Sequence, residues 1–177
     1  MRRYPTYKRV TSAITLVLAV IWFGYVLLWP NTNATAGSGV PVGGQAPDFE
    51  LTTVDGVTYR LSDLKGQAVM LNFFATWCSY CKTEMPVLEQ AYQAYRDQGF
   101  LVLAIDLDES DLAITTFQKE YGLTFPIVVD RGSNVSQLYQ IVPLPTSYFV
   151  DRDGIVRAKW TGAIDAGQLE SILNLIL

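Results

Sequence analysis

The chain has 177 residues, half of them apolar, and a formal net charge of −4. It contains no histidine and only two cysteines, which excludes a Ser–His or Cys–His nucleophile pair, a histidine-ligated metal and a four-cysteine cluster within one chain. We therefore expect no metal and no cofactor. Beyond residue 30 there are nine basic and seventeen acidic side chains, and an acidic domain argues against a nucleic-acid partner.

The N-terminus has the pattern of a membrane anchor. Residues 10–29 carry no charge, and a helix of that length spans about 30 Å, the thickness of a bilayer core. Four basic residues precede this segment and none follows it until Arg60. This asymmetry predicts that residues 1–9 are cytoplasmic and the rest extracytoplasmic, in a bacterial membrane or periplasm. A signal peptide cleaved after Ala36 is the alternative, because small residues precede that position.

Residues 30–45 are small, polar and rich in glycine, which predicts a flexible linker to a folded domain over 46–177. Hydrophobic patterning then predicts strands at 48–54, 57–60, 68–75, 100–106, 125–129, 147–150 and 155–160. Helices are predicted at 79–97, 111–121, 134–139 and 165–177. Ser62 is expected to cap a short helical turn, and Asp165 the last helix. These elements predict an α/β fold with a mixed central sheet flanked by helices and an N-terminal hairpin extension.

The motif with chemical meaning is Trp77-Cys78-Ser79-Tyr80-Cys81-Lys82, which follows a buried strand and opens a helix. Residues three apart on a first helical turn lie close enough to form a disulfide. The helix N-terminus stabilises a thiolate at Cys78, so this residue is predicted to be the exposed nucleophile and Cys81 the more buried resolving thiol. A purely structural disulfide is the alternative, but so small a loop stabilises the fold little.

Three segments resemble the thioredoxin superfamily, and more narrowly its extracytoplasmic TlpA/ResA-like branch, which includes the cytochrome c maturation thioredoxins. They are LNFFATWCSYCKTEMP (71–86), YGLTFPIVVD (121–130) and LPTSYFVDRDG (144–154). The resemblance covers about residues 45–177 and implies a thioredoxin-like fold. One departure is Ser79-Tyr80, because this branch often has Glu-Pro between the cysteines. That dipeptide influences the redox potential, so the direction of electron flow stays open.

The resemblance also implies roles for individual residues. Pro145 matches the family's cis-proline, whose loop faces the cysteine pair and pairs with substrate backbone. Leu144, Thr146 and Trp77 are accordingly expected to bind substrate. Glu84 matches an acidic residue near the disulfide and is a candidate proton acceptor for Cys81, with a solvated helix-face glutamate as the alternative. Asn72 occupies the position of a buried aspartate in cytosolic thioredoxins.

The function implied by the resemblance is reduction of protein disulfides, such as those of apocytochrome c. A membrane thiol–disulfide transporter would supply the electrons, and we expect the protein to act as a monomer. A disulfide oxidase or isomerase is the main alternative. A peroxiredoxin-like peroxidase would need a Thr-x-x-Cys frame that is absent around Cys78. A non-catalytic adaptor that only holds thiols is the fourth hypothesis.

Overall fold

The structure, a computed structural model, describes residues 39–177 together with Leu18, Trp22 and Phe23. The predicted cytoplasmic segment, most of the predicted anchor at 10–29 and the first part of the linker lie outside the described residues. Among those that are described, no helix is both long and apolar enough to cross a bilayer.

Seven strands form one mixed sheet in the order β2-β1-β5-β4-β3-β6-β7. The bounds are β1 Glu50–Thr53, β2 Thr58–Arg60, β3 Ala68–Phe74, β4 Phe100–Asp106, β5 Ile127–Val129, β6 Thr146–Val150 and β7 Val156–Thr161. Strands β3, β4 and β5 are parallel, and the remaining pairings are antiparallel. The central strands β3 and β4 are buried along their whole length, as their continuous apolar sequences predict. The α/β fold with a mixed sheet and an N-terminal hairpin is thus confirmed.

Four α-helices accompany the sheet: α1 Ser79–Tyr95, α2 Asp111–Glu120, α3 Asn134–Leu138 and α4 Ala166–Ile176. Short 3-10 turns occur at Leu61–Leu64, Arg96–Gln98 and Arg131–Ser133. The helix ends follow local chemistry. Asp165 caps α4 and exchanges hydrogen bonds with Gln168 in a capping box, as the sequence predicts for Asp165. Gly122, with φ of 61°, follows the end of α2, where a left-handed residue is favoured.

Two buried clusters lie on opposite faces of the sheet because side chains alternate along each strand. One cluster joins Met70 and Phe74 of β3 to apolar residues of α1, α2 and α4. The other joins Leu71 and Phe73 to the turn at 61–64, to α3 and to residues before β1. Asn72 lies two residues after Met70 in β3, so its side chain is on the same face of the sheet and faces α1.

Two local predictions need correction. Ser62 is not a cap: the turn at 61–64 follows Arg60 without a side-chain cap, and the Ser62 N–H donates to Asp48 Oδ1 at 2.8 Å. Part of the predicted linker is also packed onto the domain. Val40 is buried, and the Gly43 N–H donates to the Val156 carbonyl at 2.7 Å. An apolar side chain and backbone pairing with β7 fix these residues although their composition is that of a linker.

Candidate active site

The cysteine pair lies where β3 passes into α1. After Phe74 the chain makes a tight turn, in which the Cys78 N–H donates to the Ala75 carbonyl at 3.1 Å. Cys78 is the N-cap of α1, and its Sγ accepts the Cys81 N–H at 3.2 Å. The nucleophile predicted from the sequence therefore occupies the helix N-terminus, where free N–H groups and the helix dipole stabilise a thiolate.

Cys78 and Cys81 form a disulfide with their Cα atoms 5.2 Å apart. Cys81 is fully buried and Cys78 is 6 % exposed. The predicted order of exposure is confirmed, but the expected exposed tip at Cys78 is wrong for this oxidised state. The exposed side chains of the motif are instead Trp77 at 69 % and Tyr80 at 70 %. These two aromatic side chains are therefore the exposed apolar surface of the motif, next in sequence to the two cysteines.

Glu84 is buried, with 1 % of its surface exposed, so the alternative of a solvated helix-face glutamate is wrong. It follows Cys81 by three residues on α1 and lies on the same helix face. Its Oε1 accepts Asn72 Nδ2–H at 2.8 Å, and its Oε2 accepts the Ile164 N–H at 3.1 Å. Burial raises the pKa of Glu84 to about 7, although these two hydrogen bonds act in the opposite direction. A carboxyl group with this pKa can exchange a proton near neutral pH.

Asn72 connects Glu84 to the sheet. Its Nδ2 also donates to Ser147 Oγ at 3.0 Å, and Ser147 is its partner in the β3–β6 ladder. Sequence reasoning singled out Asn72 and Glu84 separately but missed Ser147 and the N–H of Ile164. Ile164 follows β7, eighty residues after Glu84, and no local pattern indicated that these residues meet.

The loop before β6 contains the predicted substrate-binding residues. The Leu144–Pro145 peptide bond is cis, as the resemblance implies, and so is Val142–Pro143. Thr146 pairs with Phe73, which brings the preceding residues beside the end of β3 and the turn to Cys78. Thr146 Oγ1 donates to the Pro143 carbonyl at 2.6 Å, and the Gly162 N–H donates to the Pro145 carbonyl at 2.9 Å. The loop is thus anchored at two points.

Leu144 differs from its neighbours in this loop. It is half-buried, and among the described residues no group bonds to its backbone N–H or C=O. An edge with free backbone groups can accept an extended peptide by strand addition. In the described part of the chain, no group of three or more side chains is arranged to hold a metal ion.

Comparison with known proteins gives a consistent result. The model of the AhpC/TSA family matches residues 42–159. Thiol-disulfide oxidoreductase ResA of Geobacillus kaustophilus is 40 % identical over 167 residues, which cover 94 % of this chain and 93 % of that protein.

Among solved structures, a candidate thiol:disulfide interchange protein DsbE from Chlorobium tepidum matches with a TM-score of 0.72 and 32 % identity, covering 78 % of this chain and 99 % of the other. StoA from Bacillus subtilis matches with a TM-score of 0.62 and 28 % identity, covering 73 % of this chain and 97 % of the other.

These similarities confirm both the thioredoxin-like assignment and the reaction class predicted from the cysteine pair. The similar sequences extend over nearly the whole chain and bear the name of the same activity. The chain belongs to the AhpC/TSA family of thioredoxin-like proteins and is a thiol-disulfide oxidoreductase.

Proposed function

We propose that this enzyme reduces disulfides of extracytoplasmic proteins, with Cys78 as the attacking thiol and Cys81 as the resolving thiol. The observation that carries the proposal is the burial of Glu84 on the helix face of Cys81, with donors from β3 and the β7–α4 loop. A resolving thiol that is fully buried needs a nearby group to accept its proton, because water reaches it poorly.

The reaction runs in two exchanges. In the reduced enzyme, the Cys78 thiolate attacks one sulfur of a substrate disulfide, and the other substrate sulfur leaves as a thiolate. Cys81 then loses its proton to Glu84 and attacks the Cys78 sulfur. The mixed disulfide breaks, the substrate leaves with both cysteines reduced, and the enzyme carries the Cys78–Cys81 disulfide. Two electrons from a donor return the enzyme to its starting state.

Substrate contact is assigned to Trp77 and to the loop Leu144–Thr146. The free backbone groups of Leu144 favour an extended segment of the substrate, and the exposed indole of Trp77 offers an apolar surface beside the disulfide. An unfolded chain with a disulfide between nearby cysteines fits both features. Apocytochrome c, which the family resemblance implies as the substrate, is a chain of this kind.

The uncharged segment 10–29 supports anchoring in the membrane with the domain outside the cytoplasm. An extracytoplasmic reductase needs a supply of electrons across the membrane, since such compartments are oxidising. A membrane thiol–disulfide transporter is therefore proposed as the donor. The protein is proposed to act as a monomer.

The midpoint potential of the Cys78–Cys81 pair tests the direction of electron flow. The full-length chain, kept in detergent, is equilibrated with glutathione or dithiothreitol buffers, and the reduced fraction is measured by thiol alkylation. A value near or below about −230 mV is expected for a reductase. A value near about −120 mV would mark an oxidant of exported proteins instead, and the proposed role in cytochrome c maturation would then be abandoned.

A further inference from the structure

The turn Ala75–Cys78, which presents the nucleophile, is bound by a side chain that lies outside the cysteine motif in the sequence. Thr76 is the first of its two central residues, and it makes two hydrogen bonds to one carboxylate. The Thr76 N–H donates to Glu109 Oε2 at 2.5 Å, and the Thr76 hydroxyl donates to Glu109 Oε1 at 2.6 Å. Bonds to a charged acceptor are stronger than neutral ones. This clamp joins the start of the active-site turn to the segment between β4 and α2.

Glu109 is in turn held by Asp106, the last residue of β4. Asp106 is fully buried, and its Oδ1 accepts the Glu109 N–H at 2.8 Å. Its Oδ2 receives no donor from the described residues, and burial together with the neighbouring Glu109 carboxyl group raises the pKa of Asp106. A proton shared by the pair satisfies this oxygen, since two adjacent carboxyl groups do not readily both ionise. Asp106 is also the β4 partner of Phe74, so the pair adjoins the start of the turn.

We propose that Asp106 and Glu109 form a proton-sharing carboxyl pair that positions Cys78 for attack by clamping Thr76. Both are positioning residues, because the hydrogen bonds of their side chains go to Thr76 and to each other and none goes to a cysteine of the described chain. The clamp fixes the turn whose last residue is Cys78, so a change in the pair alters the geometry of the nucleophile. This inference rests on the proposed role of Cys78 as the attacking thiol.

The charged side chains around the pair come from two segments, the start of α2 with the residues before it and the residues before α3. Arg131, before α3, donates to the Glu109 carbonyl at 2.6 Å, and its guanidinium also pairs with Asp108 and Asp111. The Asp130 N–H donates to the Asp106 carbonyl at 2.9 Å. Because Arg131 is engaged with two other carboxylates, its charge compensates the pair only in part.

Burial, together with the Glu109 carboxyl group, raises the pKa of Asp106 to about 7. Below that pH the shared proton is present and the pair carries a single negative charge. Above it the pair holds two adjacent negative charges, which repel each other and the Cys78 thiolate. The clamp is therefore expected to loosen as the pH rises through 7.

The first test measures the attack of Cys78 on 5,5′-dithiobis(2-nitrobenzoate) by the full-length chain in detergent. Cys81→Ser is present throughout, so only Cys78 reacts. The rate is taken at about pH 6, below the pH at which the clamp loosens, and is divided by the fraction of Cys78 present as thiolate, which ultraviolet absorbance measures at the same pH. Adding Glu109→Ala should lower this rate about tenfold, because small misplacements of a nucleophile are costly. The control is Glu120→Gln, which removes one charge from an exposed position at the far end of α2 and should change the rate less than about twofold.

The second test follows the Thr76 amide by ¹⁵N NMR between pH 5 and 9. Its chemical shift should titrate with a midpoint near 7, the pH at which Asp106 ionises. Asp106→Asn should abolish this titration, because the asparagine amide donates to Glu109 at every pH. Glu84→Gln should leave the Thr76 titration unchanged. This control distinguishes ionisation of the pair from that of Glu84, the other carboxyl group whose pKa is raised to about 7.

Two results would overturn the proposal. One is a Glu109→Ala rate within twofold of the Glu120→Gln control, and the other is a Thr76 shift that titrates equally in Asp106→Asn. If Glu109→Ala fails to fold, the Asp106→Asn titration decides alone. If the Cys81→Ser protein itself does not attack the disulfide, the assigned role of Cys78 fails, whereas the Thr76 titration still reports on the pair.

Discussion

Glu84 and Asp106 are two buried carboxyl groups that follow the active-site turn in the sequence, Glu84 on α1 and Asp106 at the end of β4, and burial raises the pKa of each to about 7. Their surroundings differ. Neutral donors from Asn72 and Ile164 surround Glu84, whereas Asp106 faces a second carboxyl group, Glu109.

A lone carboxyl group among neutral donors can take up and release a proton without disturbing its neighbours. A coupled pair changes its mutual repulsion when it does so. The same shift of pKa therefore suits Glu84 to proton transfer at Cys81. It suits the Asp106–Glu109 pair to control of the position of Cys78. Substitutions in the two regions should therefore have different effects on the reaction.

The comparison requires that the two sulfurs have different tasks. Cys78→Ser should abolish exchange with a protein disulfide, a loss of at least about a thousandfold, because the attacking thiol is removed and the remaining Cys81 is fully buried. Cys81→Ser should instead accumulate a mixed disulfide with the substrate, because the resolving thiol is absent. Non-reducing gel electrophoresis distinguishes the two outcomes. Equal trapping by both variants would contradict the assignment, and a functional Cys78→Ser protein would indicate a non-catalytic adaptor.

Glu84→Gln should slow the resolution step by about a hundredfold, the usual range for loss of a proton acceptor. In the wild-type enzyme this step should accelerate as the pH rises through about 7, where Glu84 becomes ionised and able to accept a proton. The variant should lack that inflection. Rapid-mixing kinetics of mixed-disulfide decay between pH 5 and 9 measure both effects, and an unchanged profile would leave Glu84 without a role in proton transfer.

Both regions should also make stability depend on pH. Folding raises the pKa of Glu84 from 4.5 to about 7. Below pH 4.5 the carboxyl group is protonated in both the folded and the unfolded chain, and its contribution to stability is fully present. Stability is then lost as the pH rises from 4.5 to 7, by up to about 3 kcal/mol. Asp106 acts in the same direction over a similar range.

Denaturant unfolding of the oxidised protein from pH 4 to 9 measures this loss. Glu84→Gln and Asp106→Asn should each flatten the pH dependence, and the double variant should flatten it by the sum. Additivity is expected of independent sites. A strongly non-additive result would show that the two regions are one coupled network.

The smallest effect is expected at Glu89, which lies on the same helix as Glu84 but is only half-buried. Burial tends to raise its pKa, but hydrogen bonds from Thr124 and Gln93 outweigh this and hold the pKa below its ordinary value. Glu89→Gln should cost about 1 kcal/mol of unfolding free energy, the contribution of a typical hydrogen bond. Exchange kinetics should be unchanged, which makes this variant the control for Glu84→Gln. A slower resolution step would mean that loss of any glutamate of α1 disturbs the active site.

The sequence by itself determined the strands, the helices, the redox motif and its place at a helix N-terminus. Each depends on residues close in the chain: apolar runs define β3 and β4, and Asp165 caps α4 locally. Two predictions from local composition were wrong, the cap at Ser62 and the flexible linker at Val40, because the surroundings of both residues depend on groups distant in the chain.

Only the tertiary structure decided what surrounds the disulfide. The hydrogen-bond network around Glu84 includes Ser147 of β6, which binds Asn72, and the N–H of Ile164 in the β7–α4 loop. The clamp on Thr76 comes from Glu109, thirty-three residues away, and its sole sequence signal was an acidic residue at the end of a buried strand with a glutamate three positions later. The sequence identifies a group that can ionise, but its pKa is set by desolvation and by partners that only folding brings together.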